Sequence, residues 1–202
     1  MTAALALAGC GGAESGGREN AAAPAERVSA PAPARAAAAP APLVLTAEGF
    51  GPLRIGMSRA EVVEALGEDS EPDSVGGPEP ERCDEFRPAR APEGLLVMIE
   101  DERLTSIALV DEAKVLTDRG LGLGATAASV RSAYGQALRA GPHKYEGAPA
   151  EYLTAWTMNA PKGDEYSNDP AARGIRYEIG GKGRVQAIHA GGPSLQYVEG
   201  CA

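Results

Sequence analysis

The sequence has few of the residues from which catalytic and metal sites are usually built. Among its 202 residues are two histidines, three cysteines and one tryptophan. It contains no H-E-x-x-H zinc motif and no G-x-S-x-G nucleophile motif. His143 and His189 have no neighbouring Ser or Cys motif that would make a nucleophile–base pair, so we interpret both as surface or packing residues. We therefore expect no catalytic residue, no metal and no cofactor, and a protein that is not an enzyme.

Positive charge and long apolar runs are also scarce. The chain has 19 Lys and Arg against 28 Asp and Glu, a formal net charge of −9. An acidic surface repels phosphate backbones, so nucleic acid is not an expected partner. No segment supplies the roughly 20 consecutive apolar residues that a membrane-spanning helix needs. We expect a protein that is anchored to a membrane or secreted, without spanning it.

The first ten residues, M-T-A-A-L-A-L-A-G-C, resemble a bacterial lipoprotein signal. In such a signal small residues precede a cysteine that is lipidated and becomes the mature N-terminus, here Cys10. No Lys or Arg precedes Cys10 and the apolar run is short, which a true start further upstream would explain. The alternative is an alanine-rich tail that happens to contain a cysteine. The signal predicts a location in the bacterial cell envelope, with the protein facing the periplasm or the exterior.

Residues 11–42 are dominated by Ala, Pro and Gly. Proline at this density disfavours helices and strands, and alanine offers little surface for a core, so we predict a disordered tether. The folded part then begins near residue 43.

Two cysteines remain once Cys10 is set aside, namely Cys83 and Cys201. In an oxidising compartment two cysteines so far apart in sequence indicate a disulfide that closes a long loop. The alternative is a pair of buried free thiols. Neither cysteine has a C-x-x-C partner or a nearby histidine, which argues against a metal site.

One pattern occurs twice, in residues 56–67 (G-M-S-R-A-E-V-V-E-A-L-G) and residues 124–135 (G-A-T-A-A-S-V-R-S-A-Y-G). Ser58 and Thr126 are predicted helix N-caps, and Glu61 completes a capping box in the first segment. Apolar residues four apart share one helical face, and the closing glycine ends each helix. Each segment therefore predicts a helix of two to three turns.

Two further segments, residues 94–110 and 174–190, are apolar runs divided by a charged or glycine-rich turn, which is typical of a β-hairpin. Residues 151–158 (E-Y-L-T-A-W-T-M) predict one more strand. Alternation in the hairpins places one set of side chains inward. That inward set is Leu95, Val97, Ile99, Ile175, Tyr177 and Ile179.

From this order of elements we predict an α+β fold of two tandem helix-plus-antiparallel-sheet repeats. Residues 43–112 form the first repeat and residues 113–202 the second. One repeat alone cannot bury its apolar faces, so the two are expected to form one curved sheet with short helices packed on it.

A Gly-x-Ser/Thr helix start, a Val four residues later, a Gly stop and then an antiparallel sheet, present in tandem, resemble the β-lactamase-inhibitory-protein architecture. Single-unit relatives of that architecture are the small outer-membrane lipoproteins of the SmpA/OmlA type. Residues 142–145 (P-H-K-Y) and 198–201 (V-E-G-C) also resemble phrases of uncharacterised bacterial envelope proteins. The resemblance implies a saddle whose concave face binds a protein through aromatic side chains.

We therefore expect a non-catalytic envelope lipoprotein that binds a protein partner or assists envelope assembly. The alternative is an inhibitor of a secreted hydrolase such as a β-lactamase or a protease. An exposed patch of aromatic residues would suit a binding hot spot. The alternative is that several of them are core residues, since aromatics at strand spacing usually pack inward. The candidate surface residues are Tyr152, Trp156, Tyr166, Tyr177 and Tyr197.

Overall fold

A computed structural model describes residues 43–163 and 165–202, which belong to one compact unit. The predicted lipoprotein signal, Cys10 and the tether of residues 11–42 lie outside the described residues. Within the described ranges no helix has the length and apolar character needed to cross a membrane.

The described residues are mostly β-structure, with two short α-helices and two short 3₁₀ helices. A three-stranded antiparallel sheet has the order β1-β2-β3, and a seven-stranded antiparallel sheet has the order β4-β5-β6-β10-β9-β8-β7. The strands are β1 (Leu45–Thr46), β2 (Gly49–Phe50), β3 (Leu53–Arg54), β4 (Cys83–Phe86), β5 (Leu95–Glu100), β6 (Arg103–Leu109), β7 (Leu138–Pro142), β8 (Glu151–Met158), β9 (Arg173–Ile179) and β10 (Val185–Gly191). The α-helices are α1 (Arg59–Leu66) and α2 (Ala127–Tyr134), and the 3₁₀ helices are Gly135–Ala137 and Pro193–Gln196.

The predicted fold class is wrong. The structure has two sheets of three and seven strands and only two eight-residue helices, instead of two helix-plus-sheet repeats that form one curved sheet. Residues 45–54 form the separate small sheet, in a segment where no strand was predicted. Strand pairing between distant segments decides how strands group into sheets, and local patterns do not contain that information.

The two predicted helices are confirmed, with their caps. The Ser58 hydroxyl accepts from the Glu61 amide at 3.3 Å, and the Glu61 carboxylate accepts from the Ser58 amide at 2.7 Å. The Thr126 hydroxyl accepts from the Ser129 amide at 3.1 Å. Gly67 and Gly135 follow the two helices with φ of +91° and +53°, a region that favours glycine. Both helices are too short to persist alone and depend on packing.

The first face of the seven-stranded sheet carries the main apolar core. The two predicted hairpins form, β5 with β6 and β9 with β10, and their inward residues are buried as expected. Val62 of α1, Val130 of α2 and Phe50 of the small sheet belong to the same core cluster. The helices and the small sheet therefore share one apolar core with this face.

The second face of the sheet is covered in part by the C-terminal segment, residues 192–202. Its 3₁₀ helix packs against β6, β9 and β10, and Leu195 is fully buried there. Near its end, Cys201 forms the predicted disulfide with Cys83 of β4, with the two Cα atoms 5.4 Å apart. The disulfide prediction is confirmed, and the bond attaches the C-terminal segment to the strand at one edge of the sheet.

Candidate binding cavity

An open cavity of about 560 Å³ lies on the second face over β7, β8 and β9. We call it the β8 cavity. Its sides are His143 and Lys144 after β7, four residues after β8 (Pro161, Gly163, Glu165 and Tyr166), and Gln196 and Val198 of the C-terminal segment. This volume lies within the range of about 300–1,000 Å³ that is usual for ligand sites. The walls of the cavity are both aromatic and charged.

The floor of the β8 cavity comes from alternate residues of β8. Tyr152, Thr154 and Trp156 point to the same side because successive side chains of a strand alternate between faces. Leu153 and Ala155, between them, are buried on the first face. Tyr152 keeps only 9% of its surface exposed and Trp156 is half-buried, so the rings form a fixed floor.

A row of polar side chains crosses this floor at one level. Thr154 is paired with Arg139 of β7 on one side and with Arg176 of β9 on the other. All three residues line the β8 cavity. The floor therefore combines two guanidinium groups, one hydroxyl and two aromatic rings.

Arg176 is held rigidly although it is charged and 95% buried, with 5% of its surface exposed. Its Nη1 donates to the carbonyls of Gln196 at 2.6 Å and Leu195 at 3.3 Å, and its guanidinium carbon lies 3.5 Å from the centre of the Tyr152 ring. Burial lowers the pKa of Arg176, while the neighbouring Tyr152, Tyr166 and Glu178 act against that effect. Arginine stays protonated at neutral pH, so the cavity contains a buried positive charge.

His143 lies at the edge of the cavity with both ring nitrogens engaged. Its side chain is 4% exposed, and its ring stacks on Tyr152 with centroids 4.7 Å apart. Nδ1 accepts from the amides of Tyr145 and Glu146 at 3.2 and 3.1 Å. Nε2 therefore carries the proton and donates to Glu178 at 3.2 Å. A histidine bonded in this way has no free nitrogen with which to act as a general base.

Glu178 joins a buried polar cluster beside the cavity. Burial raises the pKa of Glu178, but hydrogen bonds from Gln186 and His143 and the nearby His189 outweigh it, so the pKa lies below its ordinary value. Burial and the adjacent positive charge of Arg176 lower the pKa of His189 to about 4, although Glu178 acts in the opposite direction. His189 is therefore neutral at pH 7, with its Nε2 3.9 Å from the Glu178 carboxylate.

Three exposed tyrosines surround the C-terminal segment next to the cavity, and we call them the tyrosine rim. Tyr145, Tyr166 and Tyr197 are 62%, 58% and 39% exposed. The Tyr145 hydroxyl donates to Glu199, and the Tyr166 hydroxyl donates to the Gln196 carbonyl at 2.6 Å. The Tyr197 hydroxyl donates to Glu100 at 3.0 Å. Each ring is therefore positioned by its hydroxyl while its apolar surface faces solvent.

Four of the five predicted surface residues lie at this site, but Tyr152 is corrected because it is buried in the floor, with 9% of its surface exposed. Tyr152, Trp156 and Tyr166 line the cavity, and Tyr197 belongs to the rim. The fifth, Tyr177, is corrected: it is fully buried on the first face. Its hydroxyl bonds Tyr134 of α2 at 2.9 Å and Thr117 at 3.3 Å, so it connects the sheet to the helix layer.

Sequence reasoning missed the two arginines of the floor. Arg176 and Glu178 alternate with apolar residues in β9, a pattern that predicts a solvated face. Arg139 lies in a short strand that was not predicted. The sequence does show that Arg176 and Glu178 lie on the face opposite the inward residues of β9. It does not show that Arg176 is covered, because the C-terminal segment that covers it is distant in sequence.

The described ranges hold no group of three or more His, Cys, Asp or Glu side chains arranged to bind a metal ion. Comparison of the sequence with protein-family models, curated proteins and solved structures gives no match.

Proposed function

We propose that this protein is a non-catalytic binding module of the bacterial cell envelope, held to a membrane by a lipid on Cys10, that binds a protein partner at the β8 cavity and the tyrosine rim. The observation that carries the proposal is the β8 cavity, in which rigid aromatic rings and a buried guanidinium line one recess. Buried aromatic and arginine anchors are the residues that dominate binding energy at protein interfaces.

The envelope location is supported by the cysteines. Cys83 and Cys201 form a disulfide, and such bonds persist in oxidising compartments outside the cytoplasm. Cys10 is the one cysteine of the three that remains for lipidation, and it follows the Leu-Ala-Gly triplet of a lipoprotein signal.

A role in binding without catalysis is supported by the groups in the cavity. His143 has both ring nitrogens bonded within the protein. The row of Arg139, Thr154 and Arg176 supplies charge and a hydroxyl but no activated nucleophile with an adjacent base. Such a set of groups can hold and orient a ligand.

The lipid anchor is tested by metabolic labelling of the full-length gene product with palmitate. We expect label on the wild type and none on Cys10→Ser. An unlabelled wild type, or label that survives the substitution, would exclude the anchor.

The binding site is tested by a pull-down from envelope extract with the full-length protein as bait. Two variant baits are compared with the wild type. Tyr166→Ala removes a ring of the tyrosine rim, and Trp156→Ala removes a ring of the cavity floor. Leu116→Ala is the matched control, because Leu116 is 47% exposed and does not line the β8 cavity. We expect the partner to be recovered by the wild type and the control and reduced at least about tenfold by both site variants. Equal recovery by all four baits would show that the partner, if any, binds elsewhere.

The tyrosine rim favours a second candidate, an inhibitor of a secreted hydrolase. Rigid exposed tyrosines are common in surfaces that bind proteins tightly. A panel of β-lactamases and proteases assayed with the purified protein tests this function. We expect any inhibition to be lost in Tyr166→Ala and Tyr197→Ala, and a panel without inhibition would reject it.

A further inference from the structure

The β8 cavity differs in charge from the rest of the molecule. The protein as a whole has a formal net charge of −9. Among the described residues that line the cavity, Arg139, Lys144 and Arg176 are positive and Glu165 alone is negative. A recess of one sign with low-dielectric walls concentrates ligands of the opposite sign. The charge of the cavity therefore favours an anion, although the protein as a whole is acidic.

Arg176 lacks a charge partner within the described part of the protein. No carboxylate of residues 43–163 or 165–202 lies within 4.0 Å of its guanidinium, and the hydrogen bonds it donates there use Nη1 alone. Glu178 therefore acts on Arg176 only from a greater distance, and a buried charge that is compensated only in part is costly to the folded state. The Nε and Nη2 edge of the guanidinium is the edge suited to bidentate contact with a carboxylate.

Arg139 provides the second positive group of the row. Neighbouring strands are about 4.8 Å apart, so two strand spacings place the backbones of Arg139 and Arg176 about 10 Å apart, with Thr154 midway. Two arginines can converge over that distance on one small anion above the Thr154 hydroxyl. Arg139 also donates to the Gly163 carbonyl, which orients its guanidinium over the cavity floor.

Aromatic rings lie on both sides of the charged row. Tyr152 and Trp156 are each two residues from Thr154 on the same face. Opposite Tyr152 on β7 is Gly141, where a Cβ atom would meet nothing within 4 Å. That open position leaves room for an apolar group against the floor. The site therefore suits an anionic group that is attached to an apolar group better than it suits a small hydrated anion.

We propose that the β8 cavity binds a carboxylate of an acidic peptide segment of the partner, between Arg176 and Arg139, with the adjacent apolar residue of that segment in the open position beside Gly141. The proposal rests on the proposed function, since it names the chemistry of the partner at the same site. The carboxylate belongs to a Glu or Asp residue of the partner or to the partner's C-terminus.

The test uses Trp156, the only tryptophan in the sequence, as a fluorescent reporter inside the cavity. The full-length protein is titrated with small N-acetylated probes in pairs. One member of each pair carries a carboxylate, and the other carries an uncharged amide in its place. N-acetylphenylalanine and its amide represent a C-terminal carboxylate, and acetyl-Phe-Glu-amide and acetyl-Phe-Gln-amide represent the carboxylate of a glutamate residue. Phenyl phosphate represents the competing anion.

We expect at least one acid to bind about tenfold or more tightly than its uncharged pair, and the tighter of the two acids identifies the source of the carboxylate. Arg176→Gln should weaken that probe about tenfold, and Arg139→Gln by a smaller factor. Lys182→Gln is the matched control, since it removes one exposed positive charge outside the cavity and should change nothing. Thermal unfolding checks that each variant folds. If Arg176→Gln does not fold, the effect of Arg139→Gln on probe binding still tests the proposal.

Acids and amides that bind equally would overturn the proposal, as would arginine variants that bind like the wild type. If phenyl phosphate binds more tightly than either acid, the proposal is overturned and the ligand of the cavity is a phosphate instead of a carboxylate. If no probe changes Trp156 fluorescence while Tyr166→Ala still loses the partner in the pull-down, the carboxylate is excluded and the proposed binding function stands.

Discussion

Leu153 and Thr154 are neighbours on β8, yet they lie in opposite environments of the seven-stranded sheet. Leu153 is fully buried in the apolar core that the first face shares with the helices and the small sheet. Thr154 lies between two arginines on a face that is covered only in part. The first face thus stabilises the fold by apolar burial, whereas the second combines the buried Leu195 with charged contacts and one covalent bond. Sites for ligands are expected where packing is incomplete and polar groups converge.

The strongest way to sharpen this comparison is a pair of alanine substitutions on adjacent residues. Leu153→Ala should lower the free energy of unfolding by about 2–5 kcal/mol, because it leaves a void in a packed core. Thr154→Ala should cost less than about 1 kcal/mol, since it removes a half-buried hydroxyl beside a cavity. Urea denaturation of both variants measures the difference. Equal losses would mean that the two faces contribute similarly to stability.

Removing the disulfide tests how strongly the second face depends on its covalent bond. The bond joins residues 118 apart in sequence, so its loss frees a long loop in the unfolded state. We expect the double variant Cys83→Ser/Cys201→Ser to lose about 2–4 kcal/mol. Trp156 emission should also shift, since Gln196 and Val198 of the attached segment line its cavity.

The control for this prediction is a reducing agent. It should produce the same change in the wild-type protein and no change in the double variant. A wild-type protein that keeps its melting temperature and its Trp156 emission after complete reduction would contradict the prediction.

Acid should destabilise the second face through His189. Its pKa is about 4 in the folded protein and 6.5 ordinarily, so the unfolded state takes up the proton first as the pH falls. The stability that depends on neutral His189 is present above pH 6.5 and is lost between pH 6.5 and about 4. Because 24% of the side chain is exposed, we expect a loss of about 2 kcal/mol over that interval.

Urea denaturation at pH 7 and at pH 4 compares the wild type with His189→Gln. Carboxylates remote from His189 contribute equally in both proteins, so the difference between the two losses reports His189 together with its effect on Glu178. The groups that face it, Arg176 and Glu178, are unchanged in the variant. The same loss in both proteins would show that His189 is not the group responsible.

The smallest effect is expected at Glu85, where β4 meets the C-terminal segment. Burial, with a contribution from Asp84, raises the pKa of Glu85 against a hydrogen bond from the Cys201 backbone. A raised pKa means that the charged form is disfavoured in the folded state at pH 7. Glu85→Gln should therefore stabilise the protein by about 1 kcal/mol at pH 7, with little gain near pH 4. A destabilised variant at pH 7 would show that the hydrogen bond matters more than the charge.

The elements that could be predicted from the sequence are those specified within a few residues. The caps at Ser58 and Thr126 can be predicted because each hydroxyl lies three residues before a backbone amide of the first helical turn, from which it accepts a hydrogen bond. The inward set of the hairpins follows from period-two alternation. The pairing of Cys83 with Cys201 follows from the number of cysteines, once Cys10 is assigned to the lipid.

The parts that the sequence did not specify depend on contacts between distant residues. Residues 45–54 have the local pattern of a loop and form a sheet of their own, which is one reason the predicted fold class is wrong. Tyr177 is predicted both in the inward set and among the surface aromatics, and the structure places it in the buried set of β9. An aromatic residue on a strand has the same local pattern whether its face is covered or open.

The sequence by itself determined the helices with their caps, the hairpins and which side chains share a strand face, because each depends on neighbours within a turn or a hairpin. Only the tertiary structure decided that residues 192–202 cover part of the second face and bury Arg176 beside Tyr152. Burial of a charge depends on what another part of the protein places over it, and that is settled by the packing of the whole fold.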